Sequence, residues 1–138
     1  MNPMDQVLDT AGKISRMEIR GAGRIAAAAA ASLRDFALTV EAKDKAELDV
    51  RMKEAACALL NTRPTAVSLS NAIRMVTKYQ AAELEAARKE VVINADRFIE
   101  NSQKAVEAIG RIGGRRIRDG DTVLTHCNSM AALSVIST

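Results

Sequence analysis

Apolar positions recur every three or four residues along most of this chain, the period that gathers side chains on one face of an α-helix. From Met4 to Met17 they are Met4, Val7, Leu8, Ala11, Ile14 and Met17, which predicts a first helix. Ile19-Arg20-Gly21-Ala22-Gly23-Arg24 interrupts the pattern. It resumes in a run dominated by Ala26 to Ala31, whose side chains lose almost no freedom in a helix, so a second helix is expected to about Thr39. Between Asp44 and Leu60, a third helix shows Leu48, Met52, Ala55, Ala56 and Leu59 on one face, and Cys57 is placed with that core. Asn61-Thr62 breaks it. Arg63-Pro64-Thr65 suits a helix entry, because proline is tolerated in the first turn and pushes the residue before it toward extended backbone. A fourth helix follows, from Thr65 to about Tyr79. From Ala81 to about Ile112, positions 84, 88, 91, 95, 98, 102, 105, 109 and 112 alternate steps of four and three, and all but Arg88 and Ser102 are apolar. This predicts one helix of roughly 45 Å, ended by Gly110, Gly113 and Gly114.

Arg115 to Gly120 then forms a basic turn into Asp121 to Ser129, DTVLTHCNS. Its short β-branched run predicts a buried strand that delivers Cys127 to its C-terminal end, the end at which open α/β sheets bind ligands. Met130 to Ile136 looks like the start of another helix. A parallel strand needs neighbours, and the chain offers none after it. The expectation is therefore a fragment, with a stable bundle from Met4 to about Ile112 and a poorly anchored tail, in which the unpaired stretch Asp121 to Cys127 is disordered, dimerises or folds onto the helices. The fold class is all-α, a helical bundle domain over 1–114, with 115–138 as a linker and the first strand and helix of a truncated Rossmann-like α/β domain.

Composition supports a bundle. Only 2% of the 138 residues are aromatic and none is Trp, so the core must be built from Leu, Ile, Val, Met and much Ala. Lys and Arg number 20 against 17 Asp and Glu. That balance gives mild attraction to polyanions, short of a dedicated nucleic-acid surface, and suits phosphorylated small molecules equally. The two cysteines, Cys57 and Cys127, have neither CxxC nor metal-ligand spacing, which favours a reduced, cytoplasmic setting. No leader-like apolar region and no span of about 20 apolar residues appears, so membrane partners are not expected.

Three stretches could carry chemistry. In Ile19 to Ala26, IRGAGRIA, two glycines precede a strongly helical segment; the free N–H groups of a first helical turn attract anions, and glycine lets a phosphate approach the backbone. Arg20 and Arg24 would add to that field. The alternative is a helix–helix corner in which glycine permits close packing. NTRPT, Asn61 to Thr65, offers a second helix start, where the Arg63 guanidinium suits bidentate phosphate recognition or is simply solvated in a turn. Cys127, between His126 and Asn128, is the sole candidate for proton transfer or nucleophilic attack, against the alternative of an inert buried thiol. Arg111, Arg115, Arg116 and Arg118 cluster without aromatic companions, which suits a solvated turn or subunit contact better than nucleic acid.

Taken together and in this order, IRGAGRIA, NTRPTAVSLSNAIR and GDTVLTHCNS resemble the translation initiation factor 2B alpha/beta/delta family, most nearly its branch of archaeal ribose-1,5-bisphosphate isomerases. The resemblance spans essentially the whole chain. It implies an N-terminal helical domain followed by a Rossmann-like domain that begins at the cysteine-bearing strand. It further implies that Arg20, Gly21 and Ala22 line a phosphate site, that Arg63 is a second phosphate ligand, that Cys127 is catalytic and that Asn128 shapes the pocket. The implied reaction converts ribose 1,5-bisphosphate to ribulose 1,5-bisphosphate in AMP salvage, by proton transfer through an enolate-type intermediate, with no cofactor and no metal. A phosphorylated sugar substrate, a nucleotide activator of the full-length protein and a homo-oligomer are the implied partners. The resemblance places the catalytic aspartate beyond Thr138, so this chain alone is expected to be inactive. The competing expectation is a noncatalytic regulatory subunit of a translation-factor assembly; such members generally lack the cysteine.

Overall fold

A computed structural model describes residues 1–126 and 129–138. Its elements, in order, are α1 (Pro3–Ser15), α2 (Ala22–Thr39), α3 (Lys45–Leu60), α4 (Val67–Val76), α5 (Leu84–Gly114) and α6 (Met130–Ser137). The all-α class and the helix order are those the periodicity predicts. The central element is α2, which packs against α1, α3, α4 and α5. Its buried face is Ile25, Ala26, Ala29, Ala30, Leu33, Phe36 and Ala37. Around it, Val7 and Ile14 of α1, Leu48, Met52 and Leu59 of α3, Leu69 and Val76 of α4, and Val91 of α5 are almost fully buried. No polar or charged residue is buried among the described residues.

Polar groups close the bundle at its rim. Arg88, the one charge in the buried half of the α5 stripe, donates to the Ala37 carbonyl near the end of α2. That helix has no basic residue of its own in its last turn. The Glu90 carboxylate accepts from the backbone N–H groups of Gln80 and Ala81 at 3.0 and 2.9 Å, tying the α4–α5 connection to α5. In the same region the Tyr79 hydroxyl donates to Asp49 at 2.7 Å, and Lys45 Nζ reaches the other Asp49 oxygen at 2.9 Å.

Three expectations are corrected. Cys57 is exposed, because it sits off the stripe of Leu48, Met52, Ala55 and Leu59 by about half a helical turn. The glycines at 110, 113 and 114 lie in the last turns of α5, which ends at Gly114, two residues past the expected boundary. They form a notch for α6: a Cβ on Gly113 would lie 2.6 Å from Val135 Cγ2, and one on Gly114 3.0 Å from Thr138 Cβ. Ser134 Oγ donates to the Val106 carbonyl at 3.0 Å across the same seam. The C-terminal helix is thus docked on α5 instead of trailing free. Finally, the strand expected over 121–127 is not formed at residues 121–126, which are exposed and carry no ladder, since no neighbouring strand exists among the described residues to pair with them.

Two measurements check this packing. Gly110→Val should drive a side chain into Ser134; amide exchange in α6 is expected to rise to that of an unprotected segment while α1 to α4 stay protected, and unchanged protection of α6 would contradict the notch. For Asp49, burial works to raise the carboxyl pKa, but the hydrogen bonds from Tyr79 and Lys45 outweigh it and hold the group below its ordinary value. A depressed carboxylate contributes above its unfolded value, near pH 4, and loses that contribution as pH falls through the folded value. Tyr79→Phe should therefore cost about 1 kcal/mol near neutral pH, a modest figure because Asp49 is 43% exposed. Thermal melts of the two proteins should converge in acid.

Candidate functional site

Most helix beginnings in this protein are neutralised in a conventional way. The Asn2 side chain caps α1 by accepting from the Asp5 N–H, Asp44 caps α3 from the Glu47 N–H, and Ser129 caps α6 from the Ala132 N–H. In α5, Glu85 stands in the first turn. Neither α2 nor α4 has a side-chain cap or an acidic residue in its first turn. Each therefore presents unpaired N–H groups and about half a positive charge.

Backbone conformation explains how α2 begins. Gly21 has φ 89° and ψ 135°, a region that side chains rarely enter, and the Ile25 N–H closes on the Gly21 carbonyl at 3.0 Å. A Cβ on Gly23 would meet nothing within 4 Å, so the space over this first turn is open. In α4 the entry turn is closed by the Ala66 N–H on the Arg63 carbonyl at 3.0 Å, with Pro64 between them.

The two beginnings are neighbours. Ser68 Oγ, in the first turn of α4, donates to the carbonyl of Ala22, the first residue of α2, at 3.1 Å. Arg20 precedes Gly21, Arg24 lies in the first turn of α2, and Arg63 stands three residues ahead of the α4 cap; all three are exposed. None has an acidic partner among the described residues. The Gly21-Ala22 turn and the start of α4 thus form one positively polarised corner, flanked by guanidinium groups, with the chemistry to hold phosphate oxygens.

Cys127 and Asn128 lie outside the described residues. The residues leading to them, Asp121 to His126, are exposed, and Ser129 opens α6. Two surface grooves, one around Lys45, Asp49 and Tyr79 and one around Phe36, Thr39 and Arg51, border neither Gly21 nor Arg63. Arg111 and Arg115 sit at the C-terminal end of α5, where cations complement the helix dipole. Among the described residues no group of three His, Cys, Asp or Glu side chains could hold a metal ion, and no helix is long and apolar enough to cross a membrane. Ser68 was not singled out by sequence reasoning; its hydroxyl sits in an ordinary helical stretch, and only the register of α4 against α2 gives it a partner.

Comparison with known proteins adds a lineage to this geometry. Residues 18–138 match the model of the initiation factor 2 subunit family. The ribose 1,5-bisphosphate isomerase of Methanocaldococcus jannaschii is 49% identical over 138 residues, covering 100% of this chain and 44% of that protein. Its counterpart in Pyrococcus furiosus is 50% identical, covering 96% and 43%. The crystal structure of 5-methylthioribose 1-phosphate isomerase from Pyrococcus horikoshii superposes with a TM-score of 0.74 at 31% identity, covering 83% of this chain and 33% of the other. Translation initiation factor eIF-2B, subunit delta, from A. fulgidus gives 0.73 at 31% identity, covering 88% and 36%. The chain spans less than half the length of the curated relatives it matches.

The glycine at the head of α2 can be tested directly. Gly21→Ala forces a side chain into positive φ and should cost about 1–3 kcal/mol. Gly23→Ala enters open space at a helical position and should be neutral or stabilising by under about 1 kcal/mol. Urea titrations that found equal losses for the two would contradict the assigned strain.

Proposed function

The chain belongs to the initiation factor 2 subunit family, and from that premise we propose that it is the N-terminal portion of a ribose-1,5-bisphosphate isomerase. The observation that carries this reading is the uncapped, acid-free pair of helix starts joined through Ser68 and Ala22. A doubly phosphorylated pentose brings two dianionic groups, and the corner supplies backbone donors and arginines for such groups. Relatives named as ribose 1,5-bisphosphate isomerases at about half identity support the choice of substrate. In this reading residues 1–114 are the helical domain, and 115–138 are the linker and first elements of a Rossmann-like domain.

The reaction moves hydrogen within the sugar and opens its ring: C2 loses a proton as the C1–O4 bond breaks and O4 is protonated, and the resulting enol then gives up its C2 hydroxyl proton as C1 takes one, leaving the ketone at C2. Arg20, Gly21 and Ala22 hold one phosphate and Arg63 the other, which fixes the carbon skeleton; Cys127 exchanges a proton with it, and Asn128 shapes the pocket. Proton transfer at carbon needs both the acid and the base held within hydrogen-bond reach of the substrate. No carboxylate of this chain is assigned as the partner of Cys127, and the isolated chain is expected to bind without turnover. Nucleotide activation, homo-oligomerisation and a cytoplasmic setting belong to the same reading. A regulatory translation-factor subunit is the second reading, supported by the likeness to eIF-2B subunit delta. Cys127, in the stretch that resembles the isomerase branch, favours the enzyme.

The test joins this chain to the C-terminal portion of the Methanocaldococcus relative and follows conversion of ribose 1,5-bisphosphate. Turnover is expected, with Cys127→Ser reducing kcat by at least about a hundredfold, the scale of a positioned proton donor, and Arg63→Ala raising KM. Binding of the bisphosphate without conversion would favour the regulatory reading, and unchanged kcat in the serine variant would remove Cys127 from the mechanism.

A further inference from the structure

We infer that Ser68 is a positioning residue for the bisphosphate corner, an inference that rests on the function proposed above. Its bond to the Ala22 carbonyl is the sole hydrogen bond between α2 and α4 among the described residues, and it joins groups 46 positions apart in sequence. The location is telling. A serine at the cap position of a helix ordinarily turns its oxygen back to that helix's own N–H groups. In α4 the cap position is Ala66, which offers no side-chain oxygen, and the hydroxyl of Ser68, two residues on, gives its proton to the neighbouring helix.

The bond works against an electrostatic force. With α2 and α4 packed side by side and beginning at the same level, their positive ends repel, and no carboxylate in either first turn relieves this. Apolar packing through Ile25, Leu69 and Ile73 holds the bodies of the helices together. Their first turns project toward solvent, where Ala22 and Val67 are exposed, and there Ser68 fixes the spacing. The spacing between two anion-facing ends sets which separation between two phosphates fits both at once. Ser68 would thus act on the simultaneous grip of two phosphates and leave the binding of a single phosphate at one end nearly untouched.

The test is an amide-shift titration of the folded chain with ribose 1,5-bisphosphate and, separately, with inorganic phosphate, reading residues 22–24 and 67–69. Ser68→Ala is expected to weaken the bisphosphate five- to tenfold, about the worth of one hydrogen bond, while affinity for inorganic phosphate changes by less than about twofold. Ser68→Thr, which keeps the hydroxyl, should restore bisphosphate affinity. Equal bisphosphate binding by wild type and Ser68→Ala, or equal weakening for both ligands, would overturn the role of Ser68 while leaving the site intact. A wild-type chain whose amides respond to neither ligand would overturn the site and the positioning role together. Matching amide spectra of the free variants establish that each compared protein is folded.

Discussion

Close approach to α2 is the constraint from which the rest of the molecule follows. A core with almost no aromatic volume cannot be filled by large rings, so its helices must come near enough for small side chains to touch. The buried alanines Ala26, Ala29, Ala30 and Ala37 leave α2 a narrow cylinder, and α1, α3, α4 and α5 all pack on it. Interiors are packed as tightly as organic crystals, so the position of each neighbour is fixed to within a methyl group. That rigidity reaches beyond the core: once α4 lies along α2 in this register, the two uncapped beginnings stand side by side.

The two ends of α2 are treated differently. At its C-terminal end, Arg88 of α5 donates to the Ala37 carbonyl, supplying the cation that the helix lacks. Farther along the same pair of helices, Arg34 bonds Asp96 at 2.8 Å. At the N-terminal end nothing comparable is present among the described residues, and the charges that adjoin it in sequence, Arg20 and Arg24, have the same sign as the dipole. Stability alone would favour an acidic residue there, as in α1, α3 and α5. Its absence at the two adjoining starts, with caps retained at α1, α3 and α6, leaves this corner positively polarised.

The helices were legible because a period of three and four survives any error of a residue or two at the ends. Arg88 interrupted the α5 stripe in sequence, and its partner, a carbonyl 51 positions away, could not be read from that interruption. The glycines at 110, 113 and 114 were legible as special but not as a docking notch, since a glycine that ends a helix and one that admits a neighbour look alike without the neighbour. Cys57 was misplaced because cysteine is among the residue types most often buried, although here it lies about half a helical turn from the stripe. In the site, Gly21 and Arg63 stood out locally through backbone and charge. That α2 and α4 begin beside one another depends on the register of α4 against α2, and that register is set by packing shapes distributed over both helices.

Holding two like-charged helix ends together raises the free energy of the empty fold, and the apolar packing of four helices around α2 offsets that cost in advance. In the proposed reading, a ligand with two phosphates would convert that repulsion into attraction without any donor having to move. Donors fixed before binding lose little entropy on binding and need no reorganisation as charge shifts during a reaction. The same reasoning explains why glycine heads α2. Any side chain at Gly21 would have to adopt a strained positive φ, and bulk over Gly23 would occupy the open space over the first-turn N–H groups. The corner is thus shaped by what it leaves out, carboxylates and Cβ atoms, and the alanine-lined packing of α2 makes those omissions tolerable.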